Sequence, residues 1–454
     1  MNITIVGAGI AGLSAAFELQ QSGFEVMLLE GSERLGGKIL TSEIEGFNID
    51  AGPDSFLTRD PEMRELCFSL GVGDELVPPT GKPAKVWVDG EMHNLPKRHF
   101  LGVPLDLDEL DELSLLTEEG AKRAKLDLTL PDNKPKEGET VGSLIRRRLG
   151  DEVMDRLVGP LLGGINAGDA DDLCLESGVP QLFNASQGDF SLVRSIQDFL
   201  KSQNRDPASP VFLTHPDGLQ TVVKRLEEEI DSDIRRNERV TSVEISDNSI
   251  LVKGSQEYQT DAVILCIPAF GAAKLLQDSC PNTSNLLAKI QYASMAFITF
   301  AFNKSDVPQF NGSGFLVGRD ENLLTTACSW TSEKWAHLKN DDTVFLRLSV
   351  GRFGDTEALA MEDDTLIEKL NGELTTLTGI NADPIATRVT RWPNSFPQYE
   401  LGHGDRINVI RQQATLEMPG MFLAGSPFKG IGLSACIRDG IDQARKAKNF
   451  LMQR

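Results

Sequence analysis

Three glycines near the amino terminus, Gly7, Gly9 and Gly12, have the spacing of a turn that binds a dinucleotide. The first allows a tight turn, the second lets the backbone approach a pyrophosphate, and the third lets a helix pack on a strand. Glu30, at the end of the next predicted strand, would accept hydrogen bonds from ribose hydroxyl groups and repel a 2′-phosphate. The spacing therefore predicts a dinucleotide site for a ligand other than NADP.

A second glycine-rich segment follows this acid directly and comprises Gly31, Arg34, Gly36, Gly37 and Lys38. The adjacent glycines let a ligand approach the backbone closely. The guanidinium of Arg34 could pair with Glu30 or with a phosphate of the ligand. The segment therefore extends the predicted site beyond the first turn.

Two more turns have backbone groups suited to a ligand. Gly52 and Pro53 end a predicted strand and favour a sharp turn with exposed N–H groups. Near the carboxyl end, Gly425, Gly430 and Gly432 lie in a loop that precedes a predicted helix. Its N–H groups and the positive end of the helix dipole suit a negative charge on a bound ligand.

Strands and helices in a definite order must bring these turns together. Apolar runs predict strands at residues 3–6 and 26–29 with a helix between them, which is a βαβ unit. A strand at 421–424 and a helix at 435–451 return to the same pattern at the end of the chain. We therefore predict an α/β fold, α+β overall, with a Rossmann-like domain at its centre.

Two inserts interrupt that domain. Residues 140–162 predict a helix that Thr140 caps, in which residues 146–148, all arginine, form a solvated face. Strand-like segments recur from 292 to 350 and predict a second, mostly antiparallel sheet, and a hairpin is expected around Asp89 and Gly90. The first insert is therefore mostly helical and the second contains a sheet.

Composition limits the partners of the 454-residue chain. It carries 67 acidic and 45 basic residues, so its formal charge of −22 argues against nucleic acid as a partner. The cysteines form no CxxC pair and the histidines lack metal-ligand spacing, so we predict no metal site and a cytoplasmic location. No signal peptide and no transmembrane span are expected, whereas peripheral membrane contact stays open.

Taken in order, these segments resemble the flavoprotein family of amine oxidases, phytoene desaturases and protoporphyrinogen oxidases. The runs Gly36-Gly37-Lys38 and Gly52-Pro53-Asp54-Ser55-Phe56-Leu57 are similar to those of the porphyrinogen oxidases of Gram-positive bacteria. Matches continue at Arg391-Trp392-Pro393 and Gly430-Ile431-Gly432-Leu433, so they span nearly the whole chain. Asp54 departs from mitochondrial-type relatives, which tend to carry arginine there.

The resemblance implies FAD as the cofactor and a set of residues that contact it. These are Gly7, Ala8, Gly9, Ile10, Ala11, Gly12, Glu30, Gly31, Arg34, Gly36, Gly37, Lys38, Gly52, Pro53, Asp54, Ser55, Val240, Trp392, Gly425, Ile431, Gly432 and Leu433. Val240 lies in a strand whose backbone would hold the adenine. The substrate positions are Arg98, Gly164, Asn166, Ala167 and Gly168. No catalytic side chain is identified; Lys38 and Asp54, which could couple to each other, are the candidates.

The resemblance also implies a division into three domains. The FAD-binding domain comprises residues 1–85, 214–275 and 400–454, the mostly helical insert residues 97–213, and the substrate-binding domain residues 86–96 and 276–399. In relatives the helical insert faces the membrane, but here residues 106–112 are rich in acids that anionic lipid would repel.

The implied reaction is the oxidation of a porphyrinogen to a porphyrin in heme biosynthesis. Six electrons would leave the tetrapyrrole in three flavin cycles, with dioxygen as the acceptor and hydrogen peroxide as the second product. Coproporphyrinogen III is the favoured substrate and protoporphyrinogen IX the alternative. Transient contact with a ferrochelatase is an expected partner interaction.

Other functions on the same architecture stay open. A flavin amine oxidase would need an aromatic cage, for which Tyr399 and Trp392 are the candidates. A carotene desaturase and a non-enzymatic escort protein without flavin share the predicted fold. The double glycine at Gly36 and Gly37 and the carboxy-terminal loop disfavour an NAD-dependent dehydrogenase.

Overall fold

The computed structural model describes residues 1–131, 134–188, 190–203, 209–246 and 249–453. The strands are β1 (Asn2–Val6), β2 (Glu25–Leu29), β3 (Thr41–Ile44), β4 (Phe47–Asp50), β5 (Phe56–Leu57), β6 (Ala84–Val88), β7 (Glu91–Asn94), β8 (His99–Phe100), β9 (Val103–Pro104), β10 (Phe212–Leu213), β11 (Asp233–Arg235), β12 (Ser242–Ser246), β13 (Ser249–Lys253), β14 (Glu257–Thr260), β15 (Ala262–Leu265), β16 (Tyr292–Asn303), β17 (Gly314–Val317), β18 (Thr325–Ser329), β19 (Thr343–Val350), β20 (Ala386–Pro397) and β21 (Met421–Leu423).

The helices are α1 (Ile10–Gln21), α2 (Glu62–Ser69), α3 (Glu118–Lys125), α4 (Val141–Leu149), α5 (Asp151–Val153), α6 (Gly159–Asn166), α7 (Leu175–Gly178), α8 (Pro180–Ala185), α9 (Leu192–Ser202), α10 (Gln220–Glu229), α11 (Ala269–Leu276), α12 (Pro281–Leu287), α13 (Thr331–Lys334), α14 (Asp363–Thr378), α15 (His403–Glu417), α16 (Ser426–Lys429) and α17 (Leu433–Met452). A π-helical turn, Met154–Val158, joins α5 to α6. Short 3₁₀ turns lie at Gly73–Glu75, Glu109–Asp111, Leu126–Leu128, Lys304–Asp306, Arg319–Glu321, Ala336–Leu338 and Ala358–Ala360.

A parallel sheet of strands β11, β2, β1, β15 and β21, in that order, forms the first layer of the described chain. Alternate residues of its strands point to opposite faces. Ile3, Ile5 and Ile264 pack with α1, α10 and α17, whereas Val263 and Leu265 pack with α11 and α15. Because both faces are covered, the central strands β1, β2 and β15 are largely apolar. The predicted α/β fold with an opening βαβ unit is confirmed.

A second sheet has the order β20, β16, β19, β18, β17, β6 and β7 within the described residues. All neighbouring strands are antiparallel except the pair β17 and β6. Asp89 and Gly90, both with positive φ, make the tight turn between β6 and β7. Leu366, Leu370 and Leu374 of α14 lie at helical spacing and pack on this sheet. The predicted antiparallel sheet and hairpin are therefore confirmed.

A bundle of short helices, residues 118–202 for the most part, forms the third layer. Thr140 caps α4 as predicted, because its side chain accepts a hydrogen bond from the N–H of Ser143 at 3.1 Å. The predicted continuous helix is wrong at Gly150, where a φ of +94° ends α4. The division of the chain into three domains stays a prediction.

The prediction that residues 146–148 form a solvated helix face is also wrong. Arg148 is only 1% exposed, and its guanidinium pairs with Asp127 at 2.7 Å. The same carboxylate accepts hydrogen bonds from the N–H groups of Leu192 and Val193, which begin α9. Arg146 pairs with carboxylates of neighbouring segments. The arginines therefore join helices, which a local sequence pattern does not show.

Candidate active site

The first glycine turn joins β1 to α1 and depends on contacts that only glycine permits. Gly7 has a φ of +99°, and a Cβ on Gly12 would overlap the carbonyl oxygen of Gly7. By contrast, no atom lies within 4 Å of the position that a Cβ on Gly9 would take. Gly9 is the N-cap of α1, and no side chain caps the helix there. The N–H groups of this turn, which include those of Ile10 and Ala11, therefore face space suited to a pyrophosphate.

The second and third glycine segments pack against the first. The N–H of Gly36 donates to the carbonyl oxygen of Ala8 at 2.8 Å, and a Cβ on Gly37 would lie 3.1 Å from the Cα of Gly9. A Cβ on Gly52 would overlap the carbonyl oxygen of Lys38. The structure therefore brings three predicted segments, distant in the sequence, into one cluster.

Glu30 directly follows β2 beside the first turn, and one oxygen of its carboxylate accepts a hydrogen bond from the N–H of Ala8 at 2.8 Å. Arg34 forms no ion pair with Glu30; its guanidinium donates instead to the carbonyl groups of Leu35, Gly37 and Ile39. Of the two roles predicted for Arg34, pairing with Glu30 is therefore wrong, because the following turn folds around the guanidinium. Phosphate binding by Arg34 stays a prediction.

Val240 lies near the same end of β2. The segment before it runs beside residues 30–32, with the N–H of Glu238 donating to the carbonyl of Glu30 at 2.8 Å. Arg239 lies against Gly31. Val240 itself precedes β12, so its predicted position inside a strand is wrong. The contact of its backbone with an adenine stays a prediction.

Lys38 and Asp54 do not contact each other, so the predicted coupling between them is wrong. The ammonium of Lys38 donates to the carbonyl of Ser395 in β20. Asp54 pairs with Lys334 at 2.7 Å and with Arg347 at 3.3 Å. Burial opposes ionisation of Asp54, but the two cations outweigh it and hold the pKa of its carboxyl well below its usual range. Asp54 is therefore a stable anion and a poor proton acceptor.

The second sheet fixes the turn that contains Gly52, Pro53, Asp54 and Ser55. Arg347 of β19 donates to the carbonyl groups of Asp50 at 2.7 Å and Gly52 at 3.0 Å. Trp392 of β20 donates from Nε1 to the carbonyl of Ala51 at 2.8 Å. Three consecutive carbonyl groups are thus occupied, and the N–H of Ala51 donates to the carbonyl of Leu40 at 2.7 Å, so the backbone that leads into this turn is held in place.

Sequence reasoning predicted Trp392 but missed Arg347. The local signal was a single cation in an otherwise apolar strand, since residues 344–350 read Val-Phe-Leu-Arg-Leu-Ser-Val. A charge in such a run is seldom buried without a partner. That partner, Asp54, lies almost three hundred positions earlier, so only the fold identifies it.

The carboxy-terminal loop, residues 425–432, lies beside the first turn. Gly425 lies next to Ala11, since a Cβ on Gly425 would be 3.8 Å from the Cβ of Ala11. The expected loop contains the short helix α16, and Gly432 is the N-cap of α17 with no side chain capping it. Ile431 and Leu433 flank that N-cap. The uncapped starts of α1 and α17 therefore lie in the same region.

Asp439, which sequence reasoning also missed, fixes the start of this loop from within α17. Its buried carboxylate accepts a hydrogen bond from the N–H of Gly425 at 2.9 Å and pairs with Arg411 at 2.6 Å. An acidic residue on the apolar face of a predicted amphipathic helix is the sequence signal that could have identified Asp439.

Tyr399 fixes the middle of the carboxy-terminal loop. Its hydroxyl donates to the carbonyl of Ser426 at 2.6 Å and accepts from the N–H of Gly430 at 2.7 Å. Its ring stacks on His403, with the centroids 3.8 Å apart. Burial lowers the pKa of His403 to about 4, so the imidazole is neutral at physiological pH. Because Tyr399 is only 5% exposed, with its hydroxyl bonded and its ring stacked on His403, it is not free to form an aromatic cage.

The predicted substrate residues Gly164, Asn166, Ala167 and Gly168 lie at the end of α6, and we call residues 164–168 the pocket wall. Gln398, the residue before Tyr399, donates from its side-chain amide to the carbonyl of Asn166 at 3.2 Å. The pocket wall and the carboxy-terminal loop are thus attached to adjacent residues of one segment.

Arg98, by contrast, is not brought into contact with the pocket wall. Its side chain is exposed, and its carbonyl accepts a hydrogen bond from the N–H of Leu105 at 2.9 Å on the helical layer. Its role toward the substrate stays a prediction.

FAD fits the arrangement of these residues. The uncapped helix starts at Gly9 and Gly432 provide N–H donors, and both glycines face open space. Glu30 supplies an acceptor near the first turn. Lys38 is a partly buried cation that donates to one carbonyl group, so it has donors left for the cofactor.

Comparison with known proteins agrees with this site. Residues 10–447 match the family model described as flavin-containing amine oxidoreductase. The chain is similar to the coproporphyrinogen III oxidase of Bacillus subtilis, at 32% identity over 464 residues that cover 99% of this chain and 98% of the relative. The enzyme of that name from Staphylococcus aureus is 30% identical over 460 residues, with 97% of both chains covered. A crystal structure from Exiguobacterium, provisionally named protoporphyrinogen oxidase, superposes with a TM-score of 0.89 at 30% identity, covering 100% of this chain and 99% of that one.

The chain therefore belongs to the flavin-containing amine oxidoreductase family. It is an oxidoreductase whose cofactor is FAD, as predicted. The two relatives named above are coproporphyrinogen III oxidases of Gram-positive bacteria matched over nearly the whole chain, and the resemblance inferred from the sequence is confirmed. No helix in the described part of the chain is long and apolar enough to cross a membrane.

Proposed function

We propose that this enzyme oxidises coproporphyrinogen III to coproporphyrin III in heme biosynthesis. The observation that carries the proposal is its similarity, over nearly the full length of both chains, to enzymes named coproporphyrinogen III oxidase. The reaction removes six electrons and six hydrogens in three two-electron steps. Dioxygen is the proposed acceptor, and three hydrogen peroxide molecules balance the three steps.

Bound FAD would supply the oxidant, by accepting a hydride from a methylene bridge of the substrate. The protein contributes binding and orientation. The first turn and Glu30 would hold the pyrophosphate and ribose, while the turn at residues 52–55 and the start of α17 would hold the ring system. Arg347, Trp392 and Tyr399 keep those two segments in place.

The charges at the site suit this chemistry. Asp54 remains ionised between two cations, so it stabilises positive charge and does not consume the protons that each oxidation releases. We therefore propose that these protons pass to water or to the reoxidation step. Lys38 is proposed as a cation beside the cofactor, where it would favour the reduced, anionic form.

A flavin amine oxidase is less well supported. Of its two candidate cage residues, Tyr399 has its hydroxyl engaged by the carboxy-terminal loop and its ring by His403. Trp392 donates to Ala51. Protoporphyrinogen IX is the second candidate substrate, favoured by the name given to the Exiguobacterium structure.

The test is the growth of porphyrin fluorescence in air with purified holoenzyme and each porphyrinogen in parallel. We expect a higher kcat/KM with coproporphyrinogen III than with protoporphyrinogen IX. The reverse preference would contradict the proposed substrate, and oxidation of neither by flavin-loaded enzyme would contradict the proposed reaction. Peroxide released per porphyrin, measured in the same assay, tests the role of dioxygen.

Two further proposals concern the surroundings of the enzyme. We place it in the cytoplasm and propose that its product passes to a ferrochelatase by transient contact. Pull-down of purified enzyme with a ferrochelatase, with and without coproporphyrin III, tests the second proposal; equal recovery from blank resin would contradict it.

A further inference from the structure

Two arginines from the second sheet meet at the pocket wall. Arg352 follows β19, and its neighbour Phe353 donates from its N–H to the carbonyl of Ala167 at 2.7 Å. Arg319 follows β17 and pairs with Asp169, directly after the wall, at 3.3 Å. Leu316 of β17 packs against Gly164, where a Cβ would lie 3.0 Å from its Cδ2. The segments that carry the two arginines are therefore attached to the wall or to the residue that follows it.

Arg352 is a partly buried cation with unused hydrogen-bonding capacity. Its guanidinium donates to the carbonyl of Val317 at 3.1 Å and forms no ion pair with any carboxylate of the described residues. A guanidinium has five N–H donors in a planar fork. Burial and then the adjacent Arg319 lower the pKa of Arg352, whereas Asp355, Asp169 and Asp320 act in the opposite direction.

The acidic residues nearby do not neutralise Arg352 directly. Asp169 is paired with Arg319. Asp355 turns one carboxylate oxygen to the N–H of Glu357 at 3.3 Å. Asp320 lies in the exposed turn that contains Arg319. A cation that is partly desolvated, next to a second cation and without its own anion, is arranged to receive an anion from outside.

We propose that Arg352, assisted by Arg319, binds a propionate carboxylate of the substrate at the pocket wall. A carboxylate matches the planar fork of a guanidinium in a bidentate contact. The anionic groups of a porphyrinogen are its propionate carboxylates. The inference rests on the proposed function, because it requires a substrate with carboxylates. It assigns Arg352 a substrate-binding role through a carboxylate, a group that both porphyrinogens carry.

The test compares holoenzyme with the variant Arg352→Gln on coproporphyrinogen III and on its tetramethyl ester, which has the same ring but no charge. Loss of one charge-assisted contact should raise KM for the acid roughly tenfold or more, while KM for the ester stays unchanged. Arg352→Lys keeps the charge but not the planar fork, so its KM for the acid should lie between those of the wild type and Arg352→Gln.

A matched control is Arg388→Gln. Arg388 also donates to one carbonyl, that of Glu43 at 3.2 Å, and lies on β20 away from the wall. It should leave both KM values as in the wild type. Equal KM values for the acid in wild type and Arg352→Gln would overturn the inference, because no contact with a carboxylate would then have been lost. Equal increases of KM for acid and ester would also overturn it, because they would show that the substitution changed the shape of the site and not its charge.

Binding of coproporphyrin III, followed by fluorescence quenching, separates this inference from the proposed function. If wild-type enzyme oxidises no porphyrinogen, the proposed reaction fails. A Kd for coproporphyrin III that rises with Arg352→Gln and not with Arg388→Gln would still support the carboxylate site, and an unchanged Kd would refute it. FAD content and melting temperature identify any variant that has not folded, for which Arg352→Lys is the substitute.

Discussion

Replacing Tyr399 by phenylalanine should weaken FAD binding without removing the ring that packs beside the cofactor site. The hydroxyl makes two buried hydrogen bonds, to the carbonyl of Ser426 at 2.6 Å and from the N–H of Gly430 at 2.7 Å. Burial raises the pKa of Tyr399 well above its ordinary value, so the hydroxyl remains a donor at every working pH. The stacking on His403 and the bond from Cys174 to the backbone carbonyl of Tyr399 stay intact.

The magnitude follows from the two groups left without partners. A buried donor or acceptor that loses its partner costs about 1–3 kcal/mol. The two together would cost about 2–6 kcal/mol in a rigid loop, and the lower end is expected here because glycines let the loop relax toward water. If about 2 kcal/mol of this cost appears in the bound state, the Kd of FAD rises roughly thirtyfold.

The assay is titration of apoprotein with FAD, followed by quenching of flavin fluorescence. Tyr292→Phe is the matched control, since the Tyr292 hydroxyl accepts one hydrogen bond from Ala269 at 2.8 Å, outside the carboxy-terminal loop. It should lower the melting temperature and leave the Kd of FAD unchanged. A Tyr399→Phe enzyme with the wild-type Kd would refute the reasoning that this hydroxyl positions the loop for the cofactor.

Three other perturbations have definite outcomes. Gly9→Glu places a charged side chain in the open space before α1, so the protein should fold but purify without the visible absorbance of FAD; stoichiometric flavin would contradict the phosphate site. Gly440→Ala should lower the free energy of unfolding in urea by about 1–3 kcal/mol, because the new Cβ would overlap the carbonyl oxygen of Ala11. Gly372→Ala in α14 is the control. Its Cβ meets no atom within 4 Å and should raise the free energy of unfolding by about 0.5–1 kcal/mol. Burial raises the pKa of Asp50 to about 7. Between about pH 4 and pH 7 the folded protein therefore keeps a proton on Asp50 that the unfolded chain has lost. The free energy of unfolding should fall as the pH rises through this range. Asp50→Asn should remove that part of the pH dependence of urea unfolding, and an unchanged profile would show that Asp50 is ionised in the folded protein.

The glycine turns could be predicted because their requirements are local. Gly7, Gly12 and Gly52 are needed where the backbone turns tightly or two backbones touch, and neighbouring residues already signal the strand before and the helix after. The order of strands and helices was predictable for the same reason. Val240 and Gly150 show the limit, since the end of an element depends on what packs against it.

The residues that support the site could not be predicted in this way. Arg347 acts through partners almost three hundred positions away, and Asp439 and Arg352 act through backbone groups of other structural elements. The arginines at residues 146–148 were interpreted as solvated because a run of charge normally is, yet Arg148 is buried against Asp127. Buried charge pairs depend on which chain segments contact each other in the fold, and local patterns in a single sequence do not show those contacts.

The amino-acid sequence by itself determined the cofactor class, because the glycine turns, the ribose acid and the loop before the last helix each meet a local geometric need of a dinucleotide. It also predicted that two inserts interrupt one nucleotide-binding unit. The tertiary structure alone decided which side chains hold those turns in place, that Lys38 and Asp54 are kept apart, and that Arg319 and Arg352 converge on the pocket wall. The physical reason is that backbone conformation is set over a few residues, whereas the pairing and desolvation of charges are set by contacts between distant segments.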